Sequence, residues 1–154
     1  MQMAELEYGR AVESQERLGV IMMDIDNFKQ INDQHGNLVG DDVLKVVADR
    51  LSRHVREKSA LISRFDGDEF CVLLKIRSQR ALYKLADELR IGISSEPVTS
   101  PPIVVKLTIS AGICHIDGVG AYPENLREFL NLASQALLEA KAKGRNRVHP
   151  EISS

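Results

Sequence analysis

Residues 61–76 read LISRFDGDEFCVLLKI. Two β-like runs flank Asp66-Gly67. An Asp-Gly pair in that setting is a strong hairpin signal, because a type I′ turn needs positive φ at both central residues. The stretch predicts antiparallel strands over 61–65 and 70–76, with Asp68 and Glu69 just past the turn. Neighbouring residues on a strand point to opposite faces. One acid can therefore face a site while the other braces the hairpin. Taken alone, such a turn is more often a solvated acidic surface.

The flanking sequence extends this to a domain. Leu18–Ile25 (LGVIMMDI) is a compact apolar run ending in acids, the pattern of a buried strand. Residues 4–17 and 27–34 predict short helices, and Gly36 and Gly40 bracket a loop. Asp41 and Asp42 open a helix whose stripe is Val43, Leu44, Val46, Val47, Leu51 and Val55. Residues 78–93 predict another helix, and Pro97, Pro101 and Pro102 punctuate the loop after it. Residues 103–116 read as one strand. The last helix, 124–143, is stopped by Gly144 in the C′ position. Residues 147–149 add a short strand. This order predicts an α+β fold, a mostly antiparallel sheet flanked by helices. An N-terminal helix over 1–17, a domain over 18–150 and a tail over 151–154 make up the organisation.

Composition narrows the function. The chain has 154 residues, 44% hydrophobic and 27% charged, which suits one globular domain. Twenty Lys and Arg against 22 Asp and Glu leave a net charge of −2, against the basic excess of a nucleic-acid binder. Cys71 and Cys114 sit in apolar runs without metal-ligand spacing, so a reducing compartment is expected. No apolar stretch is long enough to span a membrane, and Glu5 and Glu7 interrupt any leader-like pattern. A cytoplasmic chain, or the cytoplasmic part of a larger membrane-bound protein, is the expectation. His35, His54, His115 and His149 make no ligand set with one another.

Three segments carry chemistry. MDIDNFKQIND (23–33) ends a strand in acids and starts a helix at once. Helix N-terminal amides attract phosphate, Lys29 adds charge, and Asp24 could hold a divalent cation. The second is the Asp68–Glu69 hairpin. The third, AKAKGRNRV (140–148), places Lys141 and Arg145 four apart, on one face if the helix persists. Each has a bland reading when isolated: a cap, a turn, a dipole-compensating helix end.

Together these segments resemble the GGDEF family of diguanylate cyclases. The likeness runs from about Gly19 to Val148 through MDIDNFKQIND, HGNLVGDDVL (35–44), ISRFDGDEFCVLL (62–74), LTISAGI (107–113) and ALLEAKAKGRNRV (136–148), in order and at matching spacing. The resemblance implies a fold like the palm of nucleotidyl cyclases. It also implies condensation of two GTP molecules into cyclic di-GMP with loss of two pyrophosphates, across a homodimer with one GTP per domain. Asp24, the Ile25 carbonyl and Asp68 would bind Mg²⁺ or Mn²⁺. Asp68 and Glu69 would serve catalysis with Lys29. The Asn27 and Phe28 amides and Lys29 would meet phosphates, Asn32 and Asp41 would read guanine, and Lys141 and Arg145 would hold the terminal phosphates. Sensor or regulatory domains in a full-length protein are implied as partners. The signature here is D-G-D-E-F, with Asp66 in place of the first glycine. Asp tolerates the left-handed region better than most residues, so the turn is expected to persist. The family's product-binding R-x-x-D has no counterpart in residues 57–60, which read EKSA. The alternative is a degenerate domain without catalysis, serving as a GTP-binding regulatory or protein-interaction module.

Overall fold

A computed structural model of the chain describes residues 2–65, 67–118 and 122–152. The apolar run at 18–25 forms β1 (Leu18–Ile25), and every residue of it is buried. It pairs antiparallel with β3 (Glu69–Lys75) on one side and β6 (Ile109–Ile116) on the other. β2 (Leu61–Phe65) pairs antiparallel with β3 at one edge. β7 (Val148–His149) lies parallel to β6 at the other. The five-stranded order is β2-β3-β1-β6-β7.

Helices cover both faces, which is why β1 reads as continuous apolar sequence rather than as an alternation. Ile21, Met23 and Ile25 join Phe70, Val72 and Leu74 in a core with α3 (Asn37–Val55) and α4 (Gln79–Ser94). Leu18, Val20 and Met22 join Cys71 and Leu73 in a second core with α1 (Gln2–Glu13) and α5 (Leu126–Ala142). Side-chain oxygens of Ser78 and Asn125 cap α4 and α5, accepting from the Ala81 and Glu128 amides at 3.0 and 2.9 Å. At Gly112 of β6 an added Cβ would lie 2.1 Å from the Leu137 nitrogen and 2.3 Å from the Ala133 oxygen. The α5 backbone thus rests directly on the sheet, which sets how far the helix reaches along it.

Several local expectations are revised. Residues 103–116 are two strands: β5 (Ile103–Val105) leaves the main sheet to pair with β4 (Val98–Ser100), a strand hidden among prolines. Gly40 lies inside α3, not in a loop, since that helix starts at Asn37. Gly36, at φ 91°, alone separates α3 from α2 (Phe28–His35). The hairpin register pairs Phe65 with Glu69, so residues 66–68 form a three-residue connection, not a two-residue one. Gly67 takes φ +82° there. Asp66 lies outside the described residues.

Candidate functional site

The end of β1 brings the first cluster together. Asp24 shares the strand face of Leu18, Val20 and Met22, the face that α5 covers. It is 6% exposed. Its Oδ2 is ion-paired with the Lys141 ammonium of α5. Its Oδ1 is buried with no hydrogen-bond partner. The Asp68 carboxyl lies within hydrogen-bonding reach of it. Burial, then the Asp68 carboxyl, push the Asp24 carboxyl up to about 7 against the pull of Lys141. Glu69 stands directly opposite Asp24 in the β1–β3 ladder, so both side chains leave the same face. The Ile25 amide meets the Asp68 carbonyl at 3.5 Å, tying the hairpin to the strand end. The Ile25 side chain is packed in the opposite core, leaving its backbone to the site.

An orphaned buried carboxylate oxygen beside a second carboxyl is an unfavourable arrangement that a cation would relieve. Hard oxygen donors suit Mg²⁺, which keeps much of its coordination for water and phosphate. Among the described residues no cluster of three or more His, Cys, Asp or Glu could hold a metal by itself. The residues present therefore fit a cation that arrives with other oxygen ligands.

The turn into α2 forms the second part. Asn27 is left-handed (φ 57°, ψ 33°), and its carbonyl accepts the Ile31 amide at 3.2 Å. The strand thereby gives way to helix within two residues, with Asn27 and Lys29 exposed and Phe28 half-buried. Asn32 projects from α2 against α3, where a Cβ on Gly40 would lie 1.7 Å from its Oδ1. That oxygen is also buried without a partner. Asp41, the next residue, is exposed. Asn32 thus lies against Gly40, the residue before Asp41. Asp42 instead accepts a hydrogen bond from Ser100 Oγ of β4 at 2.6 Å.

The condition for Arg145 to share a helical face with Lys141 is not met. The helix ends at Ala142, and the Gly144 and Arg145 amides return to the Lys141 and Ala140 carbonyls at 3.2 and 3.0 Å. This is a Schellman closure. Arg145 consequently leaves the helical face of Lys141, is exposed, and takes φ 64°.

Asp26 is the residue that sequence reasoning passed over. It is 5% exposed and accepts from Thr108 Oγ1 at 2.7 Å, Ser110 Oγ at 2.6 Å and the Asn146 amide at 3.0 Å. Thr108 and Ser110 are two apart, one face of a strand, and that pairing with the second acid of D-x-D was the available signal. A cleft of about 410 Å³ opens beside it, between α2 and the segment entering β6, lined by Asn27, Gln30, Gln34 and Lys106 among others. His54 and His115 are occupied by carbonyls of Arg50 and Ile76, each at 2.8 Å.

The profile of the family described as "Diguanylate cyclase, GGDEF domain" matches residues 2–147. The chain belongs to that family. It is 39% identical over 127 residues to the diguanylate cyclase DgcP of Pseudomonas aeruginosa, a match spanning 82% of the chain and 18% of that protein. It is 36% identical over 129 residues to the cyclic di-GMP phosphodiesterase NbdA of the same organism, spanning 84% of the chain and 16% of that protein. The chain thus spans less than a fifth of the length of these relatives. The fold superposes on the active GGEEF domain of a diguanylate cyclase from Vibrio cholerae with TM-score 0.84 and 27% identity, covering 96% of this chain and 90% of that one. Among the described residues no helix is long and apolar enough to cross a membrane.

Proposed function

We propose that this domain condenses two GTP molecules into cyclic di-GMP. The observation that carries the reading is the convergence of Asp24, Asp68 and Lys141, with a buried Asp24 oxygen lacking any partner. A scaffold has no need of that arrangement. Asp24, the Ile25 carbonyl and Asp68 would hold Mg²⁺, which supplies charge neutralisation at the transferring phosphoryl group. Asn32 and Asp41 bind guanine: an amide and a carboxylate complement its acceptor and donor edges. The Asn27 and Phe28 amides and Lys29 take the phosphates. Lys141 and Arg145 take the terminal ones. Two domains face each other. The 3′-oxygen of one GTP forms a bond to the α-phosphorus of the other, the bond from that phosphorus to pyrophosphate breaks, and the hydroxyl proton passes toward Asp68, with Glu69 beside it. Repetition in the other direction closes the ring.

A second reading has its own support. A cyclic di-GMP phosphodiesterase matches this chain almost as well as a cyclase does, and Asp66 adds a carboxylate to the signature. On that reading the domain binds GTP and regulates a partner without chemistry. Incubation with GTP and Mg²⁺, followed by chromatography, separates the two. Cyclic di-GMP and pyrophosphate are the expected products. Metal-dependent GTP binding without product would establish the regulatory module instead.

A further inference from the structure

Residues 144–147 connect α5 to β7 through an unusual backbone. Arg145 and Asn146 are consecutive non-glycine residues with positive φ, 64° and 49°. L-residues avoid that region, and it persists only where the surroundings over-determine it. Here the determinants are visible on both sides of Asn146. Its amide is held by Asp26 Oδ2 at 3.0 Å and by Ser110 Oγ at 3.1 Å. Its side-chain oxygen accepts from Arg90 of α4 at 2.9 Å, and Arg90 is itself steadied by Asp87 at 2.8 Å. On the far side the Schellman closure fixes the Arg145 amide to Ala140. Arg145 is thus pinned between two fastened points, while its own guanidinium forms no ion pair among the described residues.

We propose that Asp26 is a positioning residue for triphosphate binding: by holding the Asn146 amide at the end of β1, it fixes the strained turn that presents Arg145, and Arg90 secures the same turn from α4. The inference rests on the functional reading above and adds to it a residue that touches no substrate. Asp26 suits the task because a carboxylate accepts several hydrogen bonds at once, and bonds to a charged acceptor are stronger than neutral ones.

A double-mutant cycle tests it, with GTP and GMP affinities measured by calorimetry in Mg²⁺. Asp26→Ala should weaken GTP about 10-fold, the scale of one charge-assisted contact to phosphate, and GMP less than about 2-fold, since GMP lacks the terminal phosphates. In an Arg145→Ala background the same change should cost GTP nothing further, because the two residues act as one unit. Asp26→Asn, which can still offer an oxygen to the Asn146 amide, should recover most of the affinity. Equal losses in both backgrounds, or equal losses for GTP and GMP, would overturn the positioning role. If Asp26→Ala does not fold, Arg90→Ala runs the same cycle from the other side of the turn. A wild-type chain that binds no GTP defeats the functional reading and this inference together, whereas normal wild-type binding with additive losses defeats the inference alone.

Discussion

Asp24 and Asp26 lie two residues apart at the end of one strand, both almost fully buried, and their surroundings could hardly differ more. Asp26 is saturated, with donors from β6, from the residue before it and from the turn after α5. Asp24 has one oxygen on Lys141, one with nothing, and a second carboxyl close by. A satisfied buried carboxylate stabilises a fold. An unsatisfied one costs stability, and is retained where a ligand completes it. The contrast separates scaffold from site more sharply than position or burial does.

The largest test of that contrast is chemical. Asp68→Asn keeps shape but removes a charge from the unsatisfied cluster, and should lower cyclic di-GMP formation at least ~100-fold, the scale of losing one transition-state-stabilising group. Circular dichroism should be unchanged. Near-normal turnover in that variant would dissolve the distinction.

Stability provides the next test, and the two acids should respond with opposite sign. Asp26→Ala removes the acceptor of the Thr108 and Ser110 hydroxyls and one of the two acceptors of the Asn146 amide, and should cost ~3 kcal/mol, lowering Tm by roughly 10 °C at this chain length. Asp24→Asn should raise Tm in metal-free buffer. The sign follows from linkage. The folded Asp24 carboxyl titrates at about 7 and the unfolded one near 3.8. Its contribution is therefore fully present below the unfolded value and is lost as pH rises through the folded one. The Tm advantage of Asp24→Asn should be absent at about pH 3.5, grow to about pH 7 and then level off. A constant offset across that range would show that ionisation is not the cause.

A smaller effect concerns the proposed guanine end. Gly40→Ala would drive a methyl into Asn32 Oδ1. The clash is with the end of a side chain rather than with backbone, so Tm should fall by only a few degrees. GTP affinity should drop about 10-fold, close to one lost hydrogen bond in a pocket. Unchanged GTP affinity, measured by calorimetry, would show that Asn32 can be displaced without consequence.

The smallest effect is expected from the cysteines. Burial pushes the Cys71 thiol up to about 12 and raises Cys114 as well. Both should resist a thiol reagent at pH 8 in native protein and react fully in denaturant. Rapid native labelling of Cys71 would mean that the β1–β3 face opens readily.

Legibility from sequence followed the same division. Period-2 and period-3.6 patterns reveal β1, β3 and the long helices because burial on defined faces imposes those periods. They miss β4, whose three residues sit between prolines, and they run β5 into β6 because both are rich in β-branched residues. The bond from the Asp26 amide to the Thr108 carbonyl continues the β1–β6 ladder, so the break falls at residues 106–107, beyond which β5 pairs with β4 instead. Site residues were legible as residue types at family spacing. Their separation into orphaned and saturated acids was not, since D-x-D alone cannot say which carboxylate finds donors 80 or 120 residues away. Whether Arg145 shares a helical face with Lys141 depends on the last turn persisting, and that i,i+4 rule lapses once the Schellman closure begins.

The Asp24–Lys141 pair has a consequence for the order in which ligands arrive. The Asp68 carboxyl lies beside the pair and Glu69 leaves the same strand face, so acidic side chains outnumber the one ammonium bound to Asp24. A divalent ion would offset that excess. A bare triphosphate, itself polyanionic, meets net repulsion at this end of β1, and Lys141 is already committed to Asp24. On the proposed function, the nucleotide would be admitted as its metal complex, with Asp24 available to the metal and Lys141 to phosphate.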